Sequence, residues 1–191
     1  AGRLPRGEQV GAALARNFAW VARSTAAFVR QPAPENLISL QPGIPVGEWR
    51  DSEDGLAGGR YPYDVNAVLA PAALAAIAQF VRSGLLDSFL TSEQRRLLTT
   101  AEAAASVWTR KAPPLFNVRL AAADARRQVA EYAKSVGVDP APALASLPPD
   151  DLVVSALALD AKFQPIPVIH SDGGFALLFQ SPSTADTERI V

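Results

Sequence analysis

The sequence of 191 residues contains no cysteine and no methionine, and it has a single histidine, His170. Without cysteine there can be no disulfide, thiolate metal ligand or cysteine nucleophile. One histidine also cannot build a usual zinc site, so we predict no metal site and no cofactor, although loop carboxylates leave calcium open. Because a translation product begins with Met, the Ala1 start indicates processing or cleavage, and we expect the chain to be a piece of a longer product.

The chain also lacks a strong net charge and a long apolar run. A formal net charge of −1 provides no field that favours nucleic acid, so we predict no nucleic-acid partner. No run approaches the 18 apolar residues of a transmembrane helix, so we predict no membrane span. The hydrophobic fraction of 49% excludes disorder as the main state. Fifteen Arg against three Lys are typical of a GC-rich bacterial genome. The compartment stays open, with a periplasmic or secreted location if a signal peptide was removed.

What the sequence has in abundance is alanine and leucine at helical spacing. Apolar residues recur every three or four positions in four segments, which predicts four helices at 7–30, 64–83, 91–112 and 118–136. Asp64 is expected to cap the second helix, and Thr91 with Gln94 forms a predicted capping box for the third. Pro71 should either kink the second helix or mark its true first turn.

The tail has a different pattern. Short apolar runs at 152–159, 166–170 and 175–179 alternate with turn residues, which predicts a small antiparallel β element. We therefore predict a mainly α fold of antiparallel helix hairpins followed by a short C-terminal antiparallel β element. The expected domains are a helical part at 1–150 and a β-hairpin-containing tail at 151–191.

A long irregular segment at 32–63 is the best candidate for function, because loops of this length in compact domains are usually functional or disordered. Residues 41–64 contain five carboxylates and three aromatic side chains among five glycines. Carboxyl groups can protonate a glycosidic oxygen, and aromatic rings stack on the apolar faces of sugars. For Asp51, which follows Trp49 and Arg50, a catalytic role and a solvated loop charge are both open. Glu53 and Asp54 are expected to be solvated loop charges, and Asp64 a helix cap. The candidate substrate-binding residues are Glu48, Trp49, Arg50, Tyr61 and Tyr63.

The motif Trp49-Arg50-Asp51-Ser52, placed between a helix and a second buried helix, resembles a catalytic hairpin of the (α/α)6-toroid glycosidases. The similarity is to the glycogen-debranching and amylo-α-1,6-glucosidase type, and it covers about residues 8–83. It implies that Asp51 is a general acid acting on a glycan, with an α-linked glucan as one possible substrate. It also implies a toroid of twelve helices, of which this chain supplies about four.

Glycoside hydrolysis ordinarily needs a second carboxyl group. No residue after Ser83 stands in a comparable motif, so we expect the remainder of the same polypeptide, or another chain, to supply the base and complete the toroid. Two alternatives stay open beside the enzyme. The chain could be a non-catalytic carbohydrate-binding domain, or a structural helical domain of a larger protein whose long loop packs against a neighbour.

Overall fold

The computed structural model of the chain describes residues 2–44, 49–50, 54–168 and 170–180. The protein is mainly helical (58%) with a small antiparallel sheet, which confirms the predicted fold class at that level. The helices are α1 (Val10–Arg30), α2 (Ala70–Ser83), α3 (Ser92–Leu98), α4 (Ala101–Lys111), α5 (Ala122–Val136), α6 (Ala141–Ser146) and α7 (Gly174–Phe179). The strands are β1 (Tyr61–Pro62), β2 (Asn117–Leu120), β3 (Leu152–Ser155), β4 (Ala158–Leu159) and β5 (Pro165–Ile166).

Helices α1, α2 and α4 pack on one another and build the main core. The Trp108 side chain of α4 is fully buried, and its ring centroid lies 4.3 Å from that of Phe28 in α1. Its indole N–H donates to the backbone carbonyl of Thr25 at 3.2 Å, which satisfies the polar atom of this buried ring. The helix predicted at 7–30 is present but begins at Val10, and its inner face packs against α4.

The helix predicted at 64–83 is present, but its first part, Asp64–Leu69, is π-helical. Pro71 lies at the start of α2, where a missing N–H is tolerated, so it marks the first regular turn. Asp64 does not occupy the N-cap position; Tyr63 does, and Asp64 is the fully buried first residue of the helix. The expected capping role of Asp64 is thus wrong. Gly84, with φ of +71°, is the C-cap of α2.

By length and composition alone, the continuous helix Asp64–Ser83 could cross a membrane, since its mean hydropathy is 1.6. Half of the apolar window is buried inside the fold, and the core helix of a soluble protein meets the same criteria. The absence of a membrane span stays a prediction.

The third and fourth predicted helices differ from expectation at their ends. The capping box is confirmed, because the Thr91 hydroxyl accepts from the Gln94 N–H at 3.1 Å and the Gln94 side chain accepts from the Thr91 N–H at 2.9 Å. The helix then breaks between α3 and α4. The prediction of helix at 118–120 is wrong, since these residues belong to β2, which pairs antiparallel with β3. Alternation of half-buried Val118 and exposed Arg119 suits a strand with one covered face.

The tail is joined to the helical part by strand pairing. β3 pairs with β2, and β4 lies between β1 and β5 in a three-stranded antiparallel sheet. The strand predicted at 175–179 is wrong, because Gly174–Phe179 forms α7. A turn starts this helix: the N–H of Phe175 donates to the carbonyl of Asp172 at 3.0 Å. Of the run at 166–170, only Ile166 lies in a strand within the described residues.

Candidate functional site

Four of the six predicted site residues lie in the part of the chain that the structure describes. Glu48 and Asp51 fall outside the described residues. Trp49 and Arg50 lie directly before Asp51, and Tyr61 and Tyr63 lie at β1 and at the start of the π-helical turn. The geometry of these four shows what surrounds the candidate motif.

Arg50 forms an ion pair with Asp172 across 122 positions of sequence. Its Nη2 atom donates to Oδ1 at 2.7 Å, and its Nε atom donates to Oδ2 at 3.4 Å. The Asp172 side chain is 1% exposed and that of Arg50 is 19% exposed. A two-point contact between guanidinium and carboxylate is directional, and in a buried setting it is poorly screened by salt.

His170 is hydrogen-bonded to the backbone of Asp172. The backbone N–H of Asp172 donates to Nδ1 of His170 at 3.1 Å, and Nε2 lies 3.2 Å from the carbonyl oxygen of Ser155 at the end of β3. In the neutral imidazole this pattern places the proton on Nε2, because Nδ1 accepts and the carbonyl can only accept. Nδ1 also lies 3.6 Å from Oδ2 of Asp172. The histidine thereby links the segment around Asp172 to the β2–β3 sheet.

The Trp49 ring contacts two side chains, and the rest of its surface is exposed to solvent. The guanidinium carbon of Arg50 lies 4.5 Å from its ring centroid, and the Phe175 ring meets it edge-on at 5.7 Å. The residue is nevertheless 53% exposed. An aromatic ring with a fixed orientation and a large open surface is suited to stacking on a sugar.

The two tyrosines pack inside the protein. Tyr63 is 8% exposed, and its ring contacts Phe116 edge-on at 5.5 Å and His170 at 5.1 Å. Tyr61 is half-buried, and its ring lies 5.2 Å from that of Phe163. Both rings therefore have internal partners, and a substrate-binding role for either stays a prediction.

An open cleft of about 410 Å³ lies beside Arg50 and His170. Its polar lining comes from Arg50, His170 and Ser171, and its apolar lining includes Leu157 and Val168. Such a mixed lining can hold a ligand with hydroxyl groups and apolar ring faces. Within the described ranges, no group of three or more His, Asp or Glu residues is arranged to hold a metal ion.

Sequence reasoning missed the roles of His170 and Asp172. Both stand in a stretch whose composition is typical of a turn, and no catalytic or metal-binding motif includes them. No local signal could have joined this stretch to Arg50, because the contact is set by how the tail folds back onto the loop.

The described fold and cleft define a mainly helical protein with a small antiparallel sheet and a mixed polar and apolar cleft next to the Trp49-Arg50 motif. No family model, curated protein or solved structure matches this chain.

Proposed function

We propose that this chain contributes the general-acid side of a glycoside hydrolase active site, with Asp51 as the acid. The observation that carries the proposal is the Arg50–Asp172 ion pair, because it anchors the residue directly before Asp51 at the wall of the cleft. The fold proposed with this function is part of an (α/α)6 toroid, in which α1, the long loop and α2 form one catalytic hairpin.

In this reaction Asp51 donates its proton to the glycosidic oxygen as the bond to the anomeric carbon breaks. A second carboxylate either activates a water molecule or attacks the anomeric carbon itself. Asp172 is poorly suited to that role, since it is buried and paired with Arg50. Glu102 and Glu131, with side chains 77% and 71% exposed, stand on the outer faces of α4 and α5. The proposed base comes from the remainder of the same polypeptide or from another chain.

The proposed substrate is a glycan, with an α-linked glucan as the first to try. The half-exposed Trp49 ring supplies a stacking surface, and Arg50 and Ser171 supply hydrogen-bonding groups to sugar hydroxyls at the cleft. Glu48, Tyr61 and Tyr63 complete the proposed substrate-binding set.

The test measures reducing-sugar release from maltooligosaccharides and branched α-glucan by the complete gene product. Asp51→Asn should lower the rate by about 10² to 10⁴-fold, which is the usual contribution of a general acid. Glu93→Gln is the matched control, because this carboxylate is exposed on α3 away from the cleft. Unchanged sugar release by Asp51→Asn would show that Asp51 is not the acid.

A second candidate, a non-catalytic carbohydrate-binding or structural helical domain, is favoured by one observation. Arg50 and Tyr63 are both occupied by internal partners, as expected of residues that stabilise a loop. Calorimetry on the complete gene product separates the candidates. Binding of maltohexaose without turnover supports the binding domain, and neither binding nor turnover of any glucan supports the structural domain.

A further inference from the structure

The segment that follows β5 holds two successive residues of the long loop. Asp172 pairs with Arg50, and Phe175, one helical turn later, meets the ring of Trp49. Both partners belong to a stretch that includes α7 and is more than 120 residues away in sequence. Two adjacent loop residues held by one distant segment resist displacement more than a single contact would.

Hydrogen bonds of its backbone N–H and carbonyl groups hold Asp172 in position. Its N–H donates to His170, and its carbonyl accepts from the N–H of Phe175 at 3.0 Å. His170 in turn contacts the carbonyl of Ser155 in β3. Because β3 pairs with β2 over four residue pairs, the position of the carboxylate is tied to the β2–β3 sheet.

Removal of one partner from a buried ion pair leaves the other charge without compensation, which makes such a pair strongly dependent on both members. Loss of the Asp172 charge is therefore expected to raise the population of states in which the Arg50 side chain has left its site.

We propose that Asp172 is a positioning residue for the proposed reaction: through its ion pair with Arg50, it holds the Trp49-Arg50 part of the loop at the wall of the cleft. This inference rests on the proposed function for the role of Asp51, but the anchoring of the loop can be measured without any substrate.

The experiment is limited trypsin digestion followed by mass spectrometry of the fragments. Trypsin must accept the Arg50 side chain in its own pocket, so cleavage after Arg50 requires the ion pair to open. In Asp172→Asn we expect this cleavage to become about tenfold faster or more, because proteolysis follows the population of the locally opened state. Cleavage after Arg23, an exposed residue within α1, should keep its rate and serves as the internal reference for global unfolding.

Asp87→Asn is the matched control. Asp87 accepts from Arg95 at 2.6 Å in an exposed ion pair, and its loss should leave cleavage after Arg50 unchanged. Cleavage after Arg50 at the wild-type rate in Asp172→Asn would overturn the proposal. So would an equal acceleration at Arg23, since Asp172 would then support the whole fold rather than the loop.

Activity gives a separate result. In the complete gene product, Asp172→Asn should lower kcat with a smaller change in KM, as expected when a general acid is misplaced but the sugar still binds. If Asp172→Asn speeds cleavage after Arg50 while Asp51→Asn leaves hydrolysis unchanged, Asp172 anchors the loop but the hydrolase proposal fails. If Asp51→Asn abolishes hydrolysis while Asp172→Asn changes neither digestion nor kcat, the anchor fails alone.

Discussion

The side-chain amide of Asn66 pairs with both backbone polar groups of Ile38. Its Oδ1 atom accepts from the Ile38 N–H at 2.7 Å, and its Nδ2 atom donates to the Ile38 carbonyl at 2.9 Å and to the Pro62 carbonyl at 2.8 Å. Asn66 is fully buried in the π-helical turn. One side chain therefore ties the beginning of the long loop and β1 to the helix that follows them.

Asn66→Ala should destabilise the protein by about 2–4 kcal/mol, since three buried or half-buried backbone groups lose their partner. Asn66→Asp should cost more, because a carboxylate oxygen would face the two carbonyls that now accept from Nδ2. Urea unfolding followed by circular dichroism measures both. Asn36→Ala is the control, since Asn36 makes an exposed bond to the Gln31 carbonyl. Equal losses for Asn36→Ala and Asn66→Ala would contradict the assigned role.

The Gln180 side chain donates to two carbonyls of the π-helical turn, in place of the N–H that Pro71 lacks. In an α-helix the carbonyl of Ala67 would accept from the N–H of residue 71, but Pro71 has none. The Gln180 side chain donates to the Ala67 carbonyl at 3.0 Å and to the Val68 carbonyl at 3.2 Å. This contact also fixes the end of α7 against the π-helical turn.

Gln180→Ala should lower the free energy of unfolding by about 1–2 kcal/mol. The loss should shrink in a Pro71→Ala background, where an N–H becomes available to the same carbonyl. A double-mutant cycle by urea unfolding measures this coupling. Gln128→Ala, a change of the same type at an exposed site on α5, should be nearly neutral. Additive effects of the Gln180 and Pro71 changes would rule out the replacement.

Gly59, near the end of the long loop, is in close contact with β4. A Cβ atom at this position would lie 2.4 Å from the Cβ of Ala158 and 2.9 Å from the carbonyl oxygen of Leu56. Gly59→Ala should therefore destabilise the protein by about 1–3 kcal/mol through overpacking. Gly174→Ala is the control, since nothing lies within 4 Å of the added atom there. Differential scanning calorimetry should show a lower Tm for the first variant alone, and matching Tm values would contradict the close approach.

Local signals explain what the sequence could predict about this fold. α1 and the helix over 64–83 follow from apolar periodicity, and the capping box of α3 follows from a four-residue pattern. The secondary structure was predicted wrongly in two places, one decided by pairing with a distant strand and the other by a local turn. Residues 118–120 continue a helical pattern but pair with β3, and apolar residues 175–179 have strand-like composition but start from a helical turn.

Local sequence patterns likewise predicted only part of the candidate site. The composition of the loop singled out Trp49 and Arg50; Arg50 lines the cleft, and the Trp49 ring packs against Arg50. The residues that hold them, Asp172 and Phe175, follow only from tertiary contacts. An isolated carboxylate in a turn-like stretch has no pattern that distinguishes a buried ion-pair partner from a solvated charge.

The role of Trp49 separates the two candidate functions that require sugar binding from the structural one. Trp49→Ala should weaken maltohexaose binding by about fivefold or more if the ring stacks on sugar, because one aromatic contact contributes on the order of 1 kcal/mol beyond buried area. The Tm should fall only slightly, since the side chain is half exposed. Trp20→Ala is the matched control: Trp20 is 63% exposed on α1, and its loss should leave binding unchanged. Calorimetric titration and thermal melting on the same samples give both readouts. Intact sugar binding together with a lost melting transition in Trp49→Ala would instead assign the ring to structural packing.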